Sequence, residues 1–174
     1  MLLGEPERTQ GDLHFVLFGV PVRVHPLFWL VAVILGARAI ASPWDLLVWV
    51  GAVFVSILVH EMGHAAAMRA YGFYPWVTLY ALGGLASYNR DTAYGAKGHG
   101  PLGQILISAA GPGAGFVLGA LVIAGIQLTG HDALGHLDFL FGTAKSIPDW
   151  IGSRPLTLFV HHLLFVSIAW GVLN

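Results

Sequence analysis

The chain contains no cysteine and few charged residues. Of its 174 residues, 10% are Asp, Glu, Lys or Arg, whereas 56% are hydrophobic. The lack of cysteine excludes disulfide bridges and thiolate metal ligands, so any metal ion must be held by His, Asp or Glu. Soluble domains carry about 25% charged residues, so this composition indicates an integral membrane protein. The formal net charge of −1 gives no indication of nucleic-acid binding.

Long apolar segments divide the chain into about four candidate membrane helices. They cover residues 27–41, 46–70, 101–129 and 156–173, and Pro, Gly or polar residues separate them. The third segment contains Gly111-Pro112-Gly113, which we expect to interrupt the helix because proline removes a backbone hydrogen bond. The sequence therefore predicts an α-helical polytopic membrane protein.

Two further segments have the alternating pattern of short strands. Residues 13–24 alternate around Gly19 and predict a strand or hairpin at the membrane surface. Residues 71–100 contain two alternating pieces on either side of Gly83-Gly84, which predicts a β-hairpin at the membrane edge followed by a glycine-rich loop. We expect residues 1–174 to form one membrane-embedded domain that carries this small sheet.

The positive charges favour one orientation in the membrane. Five of them fall on one predicted side, namely Arg8, Arg23, Arg69, Arg90 and Lys97, and three on the other, namely Arg38, Lys145 and Arg154. Because cytoplasmic loops carry an excess of Lys and Arg, the N-terminus and the loop within 71–100 are predicted to be cytoplasmic. The sequence thus predicts a multi-pass protein of the cell membrane.

The segment His60-Glu61-Met62-Gly63-His64 lies within the second predicted helix, after a stretch without charge from Leu46 to Val59. Positions i and i+4 share a helix face, so His60 and His64 can bind one metal ion. Glu61 is placed to take a proton from a water molecule at the metal. Ionisable groups inside a membrane are costly to bury. The pattern therefore predicts a zinc hydrolase site in the cytoplasmic third of the bilayer.

Two other functions fit a buried metal motif. One is a non-hydrolytic membrane protein that binds or regulates a substrate, and the other is a metal transporter. The carboxylate of Glu61 favours hydrolysis, because a binding protein has no need of a base. Transporters are often built from repeated halves, and the chain shows no internal repeat.

Five short segments follow one another along nearly the whole chain. They are residues 19–26, the 60–64 motif, Leu82-Gly83-Gly84, Ala110-Gly111-Pro112 and residues 170–174. In this order they resemble the site-2 protease family of intramembrane zinc metalloproteases, in its compact bacterial form without a PDZ insertion. The resemblance implies a core of three membrane helices and cleavage of transmembrane protein substrates within or beside the lipid bilayer.

The resemblance also implies roles for single residues. His60 and His64 would bind Zn²⁺, and Glu61 would be the general base. The hairpin with Gly83 and Gly84 would offer an edge to which an unwound substrate adds as a strand. Asn174 is a weaker candidate for substrate binding.

The chain departs from the family pattern at two places. Gly115 stands near the position where the family has an asparagine. In the family, the segment that begins at the position of Asn174 continues to Leu-Asp-Gly, whose aspartate is the third metal ligand. We therefore expect the chain to be incomplete at its C-terminal end, and by itself to bind zinc weakly and cleave little. Seven other residues could in principle bind a metal ion, but none is expected to replace that aspartate as a ligand. They are Asp45, Asp91, Asp132, Asp138, Asp149, His161 and His162.

Overall fold

A computed structural model describes residues 5–37, 42–81, 83–89, 100–132 and 149–173. The described chain forms four strands and four helices. In chain order they are β1 (Leu13–Leu17), β2 (Val20–Val24), α1 (Pro26–Ala37), α2 (Pro43–Ala70), β3 (Pro75–Tyr80), β4 (Gly83–Tyr88), α3 (Pro101–Leu128) and α4 (Arg154–Leu173). Asn174, Asp91, Asp138 and most of the glycine-rich loop lie outside the described residues.

Three of the described helices are apolar and long enough to cross a membrane. Helices α2 and α3 have 28 residues each and α4 has 20, which gives lengths of about 42 Å and 30 Å at 1.5 Å per residue. Helix α1 has 12 residues, or about 18 Å, which is short of a hydrocarbon core about 30 Å thick. The predicted class, a helical membrane protein with a small sheet, is confirmed, with three rather than four described helices of spanning length.

Helix α2 begins at a clear local signal. The side chain of Ser42 accepts a hydrogen bond from the backbone N–H of Asp45 at 3.1 Å, and Pro43 occupies the first helical turn. Both residues suit a helix start, because the first N–H groups of a helix lack internal partners. The indole N–H of Trp49 then donates to the carbonyl of Ala32 at 2.9 Å and ties α2 to α1.

Helix α3 runs without interruption past Pro112, so the predicted break at Gly111-Pro112-Gly113 is wrong. Pro112 has no N–H for the carbonyl four residues earlier, but neighbouring helices can hold such a segment in place. Glycines at every fourth position of α3 are buried, namely Gly103, Gly111, Gly115 and Gly119. This stripe lets α2 and α4 approach the backbone of α3 closely.

The four strands form one sheet in the order β1-β2-β3-β4. Strands β1 and β2 pair antiparallel, as do β3 and β4, while β2 and β3 pair in parallel with Val22 opposite Val77. Helices α1 and α2 form the crossover that a parallel pair requires. Strand β4 is at the edge of the sheet beside α2, so the sheet is joined to the helix that carries the 60–64 motif.

The two faces of the sheet differ in what covers them. Valine and leucine side chains of β2 and β3 are buried against α1 and α2, namely Val20, Val22, Val24, Val77 and Leu79. On the other face, buried Arg23 donates to the carboxylates of Glu5 and Asp12, each at 3.1 Å. Thr78 also donates to Glu5, at 2.9 Å. The N-terminal segment is therefore fixed to the sheet by polar contacts.

Asp12 sits at the centre of this N-terminal contact. The hydroxyl of Thr9 donates to its carboxylate at 2.7 Å, and Arg23 adds a charged hydrogen bond. The bond from Thr9, with the smaller contribution of Arg23, lowers the pKa of Asp12 to about 2. The carboxylate therefore stays ionised at any physiological pH.

Candidate metal centre

The structure brings the two histidines of the motif together on one face of α2. The Nε2 atoms of His60 and His64 lie 3.2 Å apart, and their ring planes meet at 74°. His60 and Glu61 are almost fully buried, with 1% and 2% of their surface exposed. The motif lies about 15 residues, or about 22 Å, along the helix from Asp45, at the end of α2 that contacts the sheet.

A hydrogen bond fixes the orientation of His64. Its Nδ1 lies 2.7 Å from the carbonyl oxygen of Ile107 on α3. A carbonyl only accepts hydrogen bonds, so Nδ1 carries the proton and Nε2 keeps a lone pair. This lone pair faces Nε2 of His60. Metal-binding histidines commonly donate their other ring N–H to a carbonyl or carboxylate in this way.

The spacing of the two nitrogens fits a zinc ion. Tetrahedral geometry with Zn–N bonds of about 2.0–2.1 Å places two ligand nitrogens about 3.3 Å apart, close to the 3.2 Å between His60 and His64. Within the described ranges no group of three His, Asp or Glu side chains converges as a metal site. The donor set therefore fits two of the three protein ligands that catalytic zinc sites usually have.

Strand β4 holds the carboxylate of Glu61. The backbone N–H of Ala86 donates a hydrogen bond to it, while its Oε1 has no hydrogen-bond partner among the described residues. A methyl group at Gly84 would overlap the Glu61 side chain. Glycine is thus required at this point of β4, because the strand backbone passes directly against the carboxylate.

Two more glycines make room for the histidines. A methyl group at Gly111 of α3 would overlap the imidazole of His64. One at Gly63 would overlap the carbonyl oxygen of Ala110 and the side chain of Ala114. Helices α2 and α3 therefore touch closely beside His60 and His64.

The remaining predicted site residues are placed as follows. Gly83 packs against the ring of Trp170 on α4, while Asn174 lies outside the described residues, so its role stays a prediction. The ring of His162 contacts that of Trp49 at 5.1 Å. Trp49 lies 11 residues before His60 on α2, or about 16 Å along the axis. The residue after His162 on α4, Leu163, accepts a hydrogen bond from Ser56, one turn before His60, so His161 and His162 lie more than one turn from the motif rather than beside it.

The sequence did not reveal three groups at this site. They are the carbonyl of Ile107, the N–H of Ala86 and the close contact of Gly111 with His64. Backbone groups leave no mark in a sequence. Gly111 belongs to the Ala110-Gly111-Pro112 segment noted in the sequence. Its contact with His64 depends on how α3 packs against α2, which the sequence does not specify.

Comparison with known proteins places this arrangement in context. The sequence profile of peptidase family M50 matches residues 48–166, which run from α2 into α4. No curated protein gives a significant match.

Among solved structures, the chain is similar to a site-2 protease from Methanocaldococcus jannaschii, with a TM-score of 0.54 and 21% sequence identity. The similarity covers 90% of this chain and 62% of that protein, so the chain spans less than two thirds of the length of the solved relative. At this identity the likeness shows a shared fold.

Proposed function

Because the chain belongs to peptidase family M50, we propose that it is an intramembrane zinc metalloendopeptidase that cleaves membrane-anchored proteins. The family membership confirms the resemblance found in the sequence motifs. The observation that carries the proposal is the pair of Nε2 atoms 3.2 Å apart in an apolar helix, with His60 and Glu61 buried. Such a cluster of ionisable groups is too costly in a membrane to be kept without a function.

His60 and His64 would hold the zinc through their Nε2 atoms, and Ile107 would keep His64 in the required tautomer. When bound, zinc lowers the pKa of a water molecule and polarises the peptide carbonyl. Glu61 would take a proton from that water and pass it to the leaving amine. The hydrogen bond from Ala86 holds the carboxylate in place, and Oε1 remains open to accept the proton.

The substrate would bind as an extended strand along the free edge of β4. This edge lies at Glu61, and an edge strand offers unpaired N–H and C=O groups. Addition of a substrate strand would unwind a membrane helix and expose its peptide bonds. Gly83 and Gly84 carry no side chains, so the substrate backbone can approach closely.

The protein would lie in the cell membrane with its site toward the cytoplasm. The motif is at the same end of α2 as the sheet, and that side carries most of the positive charges. Because the chain has no cysteine, single cysteines at Thr129 and Tyr74 give a clean test. We expect an impermeant maleimide to label Thr129→Cys but not Tyr74→Cys in intact cells; the reverse would contradict the orientation.

The decisive experiment compares the wild type with Glu61→Gln, both expressed from the complete gene in their native membranes. Product termini of membrane proteins are identified by mass spectrometry, and the zinc content of the purified proteins is measured. We expect specific products only with the wild type and equal zinc in both proteins. Equal products would contradict the proposal, whereas bound zinc without products in either protein would favour the non-hydrolytic alternative. Zinc uptake by vesicles containing the protein would favour transport.

A further inference from the structure

Two hydrogen-bond donors on α4 are buried beside the candidate metal centre. The hydroxyl of Ser167 and the indole N–H of Trp170 have no partner among the described residues. We propose that these two groups, the Ser167–Trp170 donor pair, bind carbonyl oxygens of the substrate backbone during cleavage. The inference rests on the proposed function and adds α4 to the parts of the protein that contact the substrate.

The packing of α4 on α2 places Ser167 in the layer of the metal ligands. The hydroxyl of Ser56 on α2 donates to the carbonyl of Leu163 on α4 at 3.2 Å. The two helices run in the same direction, because Val48 of α2 packs against Leu158 of α4 before this point. His60 lies one turn beyond Ser56, and Ser167 one turn beyond Leu163. Ser167 therefore lies at the depth of His60.

Trp170 lies beside the edge strand. A methyl group at Gly83 would overlap its indole ring, and one at the next residue, Gly84, would overlap Glu61. The indole and the carboxylate thus contact consecutive residues of β4, whose side-chain directions alternate between the two faces of the strand. Residues three apart share a helix face, so Ser167 and Trp170 form one stripe of α4, which meets Gly115 of α3 at Ser167 and Gly83 of β4 at Trp170.

The usual partner of Ser167 is already taken. A serine inside a helix commonly donates to the carbonyl four residues earlier, which here belongs to Leu163. That carbonyl instead accepts from Ser56, and the Ser167 hydroxyl makes no bond within the described chain. A buried donor without a partner is unfavourable. The Ser56 contact therefore keeps the Ser167 hydroxyl available for a partner that enters the site.

An extended substrate supplies acceptors of the required kind. An indole N–H is a donor only, so the partner of Trp170 must be an acceptor. In a substrate strand added to β4, every second carbonyl would pair with the sheet, and the carbonyls between them would point away from the sheet. Neighbouring carbonyls of this outer row are about 7 Å apart. The Cβ atoms of residues three apart on a helix lie about 5–6 Å apart, somewhat less than the spacing of two neighbouring carbonyls of the outer row.

The test uses variants that remove only the donors. Ser167→Ala and Trp170→Phe are compared with Ser108→Ala, an exposed hydroxyl of α3, and with Trp49→Phe, whose indole N–H is bonded within the protein. Cleavage of the substrate identified by the Glu61→Gln comparison is measured in detergent micelles. Zinc content and melting temperature are measured for each variant. Ser167→Thr serves as the conservative variant that retains the hydroxyl.

We expect each donor variant to lower kcat/KM about tenfold, since a neutral hydrogen bond contributes up to about 1.5 kcal/mol. The double variant should lose about a hundredfold, and Ser167→Thr should restore most of the activity. Zinc content should stay at the wild-type value. Both control variants should retain wild-type kcat/KM.

The outcomes separate this inference from the proposed function. If Glu61→Gln abolishes cleavage while the donor variants cleave like the controls, the donor pair is overturned and the protease assignment stands. A lower melting temperature with unchanged kcat/KM would likewise reduce the pair to a structural role. If the Glu61→Gln comparison yields no substrate, both proposals fall together.

Discussion

Replacing Gly111 by alanine should weaken zinc binding without unfolding the protein. The new methyl group would overlap the imidazole of His64, with Cε1 and Cδ2 at 2.5 Å and 2.6 Å and Nε2 closer still. The overlap involves the backbone of α3, so the ring rather than the helix must move. A displaced ring loses its bond to the carbonyl of Ile107 and turns its Nε2 away from His60.

The magnitude follows from the lost orientation of the ligand. Loss of a group that orients a metal ligand costs about 10–100-fold in metal affinity, or about 1.4–2.8 kcal/mol at 1.4 kcal/mol per factor of ten. The same substitution adds helix propensity of about 1 kcal/mol, because glycine is a poor helix former. Zinc affinity and helix stability should therefore change in opposite directions at Gly111.

The assay is a zinc competition titration against a chromophoric chelator, with the purified protein in detergent. Gly113→Ala is the matched control, since it lies in the same helix on the other side of Pro112 and its methyl group meets nothing within 4 Å. We expect Gly113→Ala to bind zinc like the wild type and Gly111→Ala to bind 10–100-fold more weakly. Equal affinities of the two variants would refute the assignment of His64 as a ligand held by α3.

Three further outcomes are expected. Gly84→Ala should displace the carboxylate of Glu61 and lower kcat more than tenfold. The zinc content, measured by mass spectrometry, should stay at the wild-type value. An unchanged kcat would argue against Glu61 as the general base. Gly63→Ala should force α2 from the carbonyl of Ala110 and destabilise the protein by about 1–3 kcal/mol, measured as a lower melting temperature than that of Gly125→Ala, whose methyl group meets nothing. The pKa of Asp12 is lowered from 3.8 to about 2 in the folded protein. Its contribution to stability is therefore present above about pH 4 and is lost as the pH falls toward 2. Proteolysis of the N-terminal segment should depend on pH in this range in the wild type but not in Asp12→Asn.

The sequence predicted the features that depend on residues close together in the chain. The low charge and the long apolar segments predicted the membrane helices, and the four-residue spacing of His60 and His64 predicted that their side chains converge. The glycine pair at Gly83-Gly84 predicted a hairpin in this segment, although both glycines lie within β4 and the two strands do not flank them. Each of these signals is read from periodicity or from a turn within one segment.

Features that depend on distant contacts could not be predicted. The parallel pairing of β2 with β3 joins residues such as Val22 and Val77 across two helices, and no local pattern specifies this partner. Proline at Pro112 normally indicates a break, but the packed neighbours of α3 override that preference. The hydrogen bond from His64 to Ile107 involves a backbone carbonyl, for which every residue type looks alike.

The parallel pairing of β2 with β3 has a consequence for the order of folding. These strands meet only after α1 and α2, which lie between them in the chain, have folded back on each other. Long-range strand pairing forms late because the intervening loop must first be closed. Strand β4 joins through β3 and brings the N–H of Ala86 to Glu61. The carboxylate therefore acquires its final position only once the helices are inserted, so the candidate site is incomplete in a partly inserted chain.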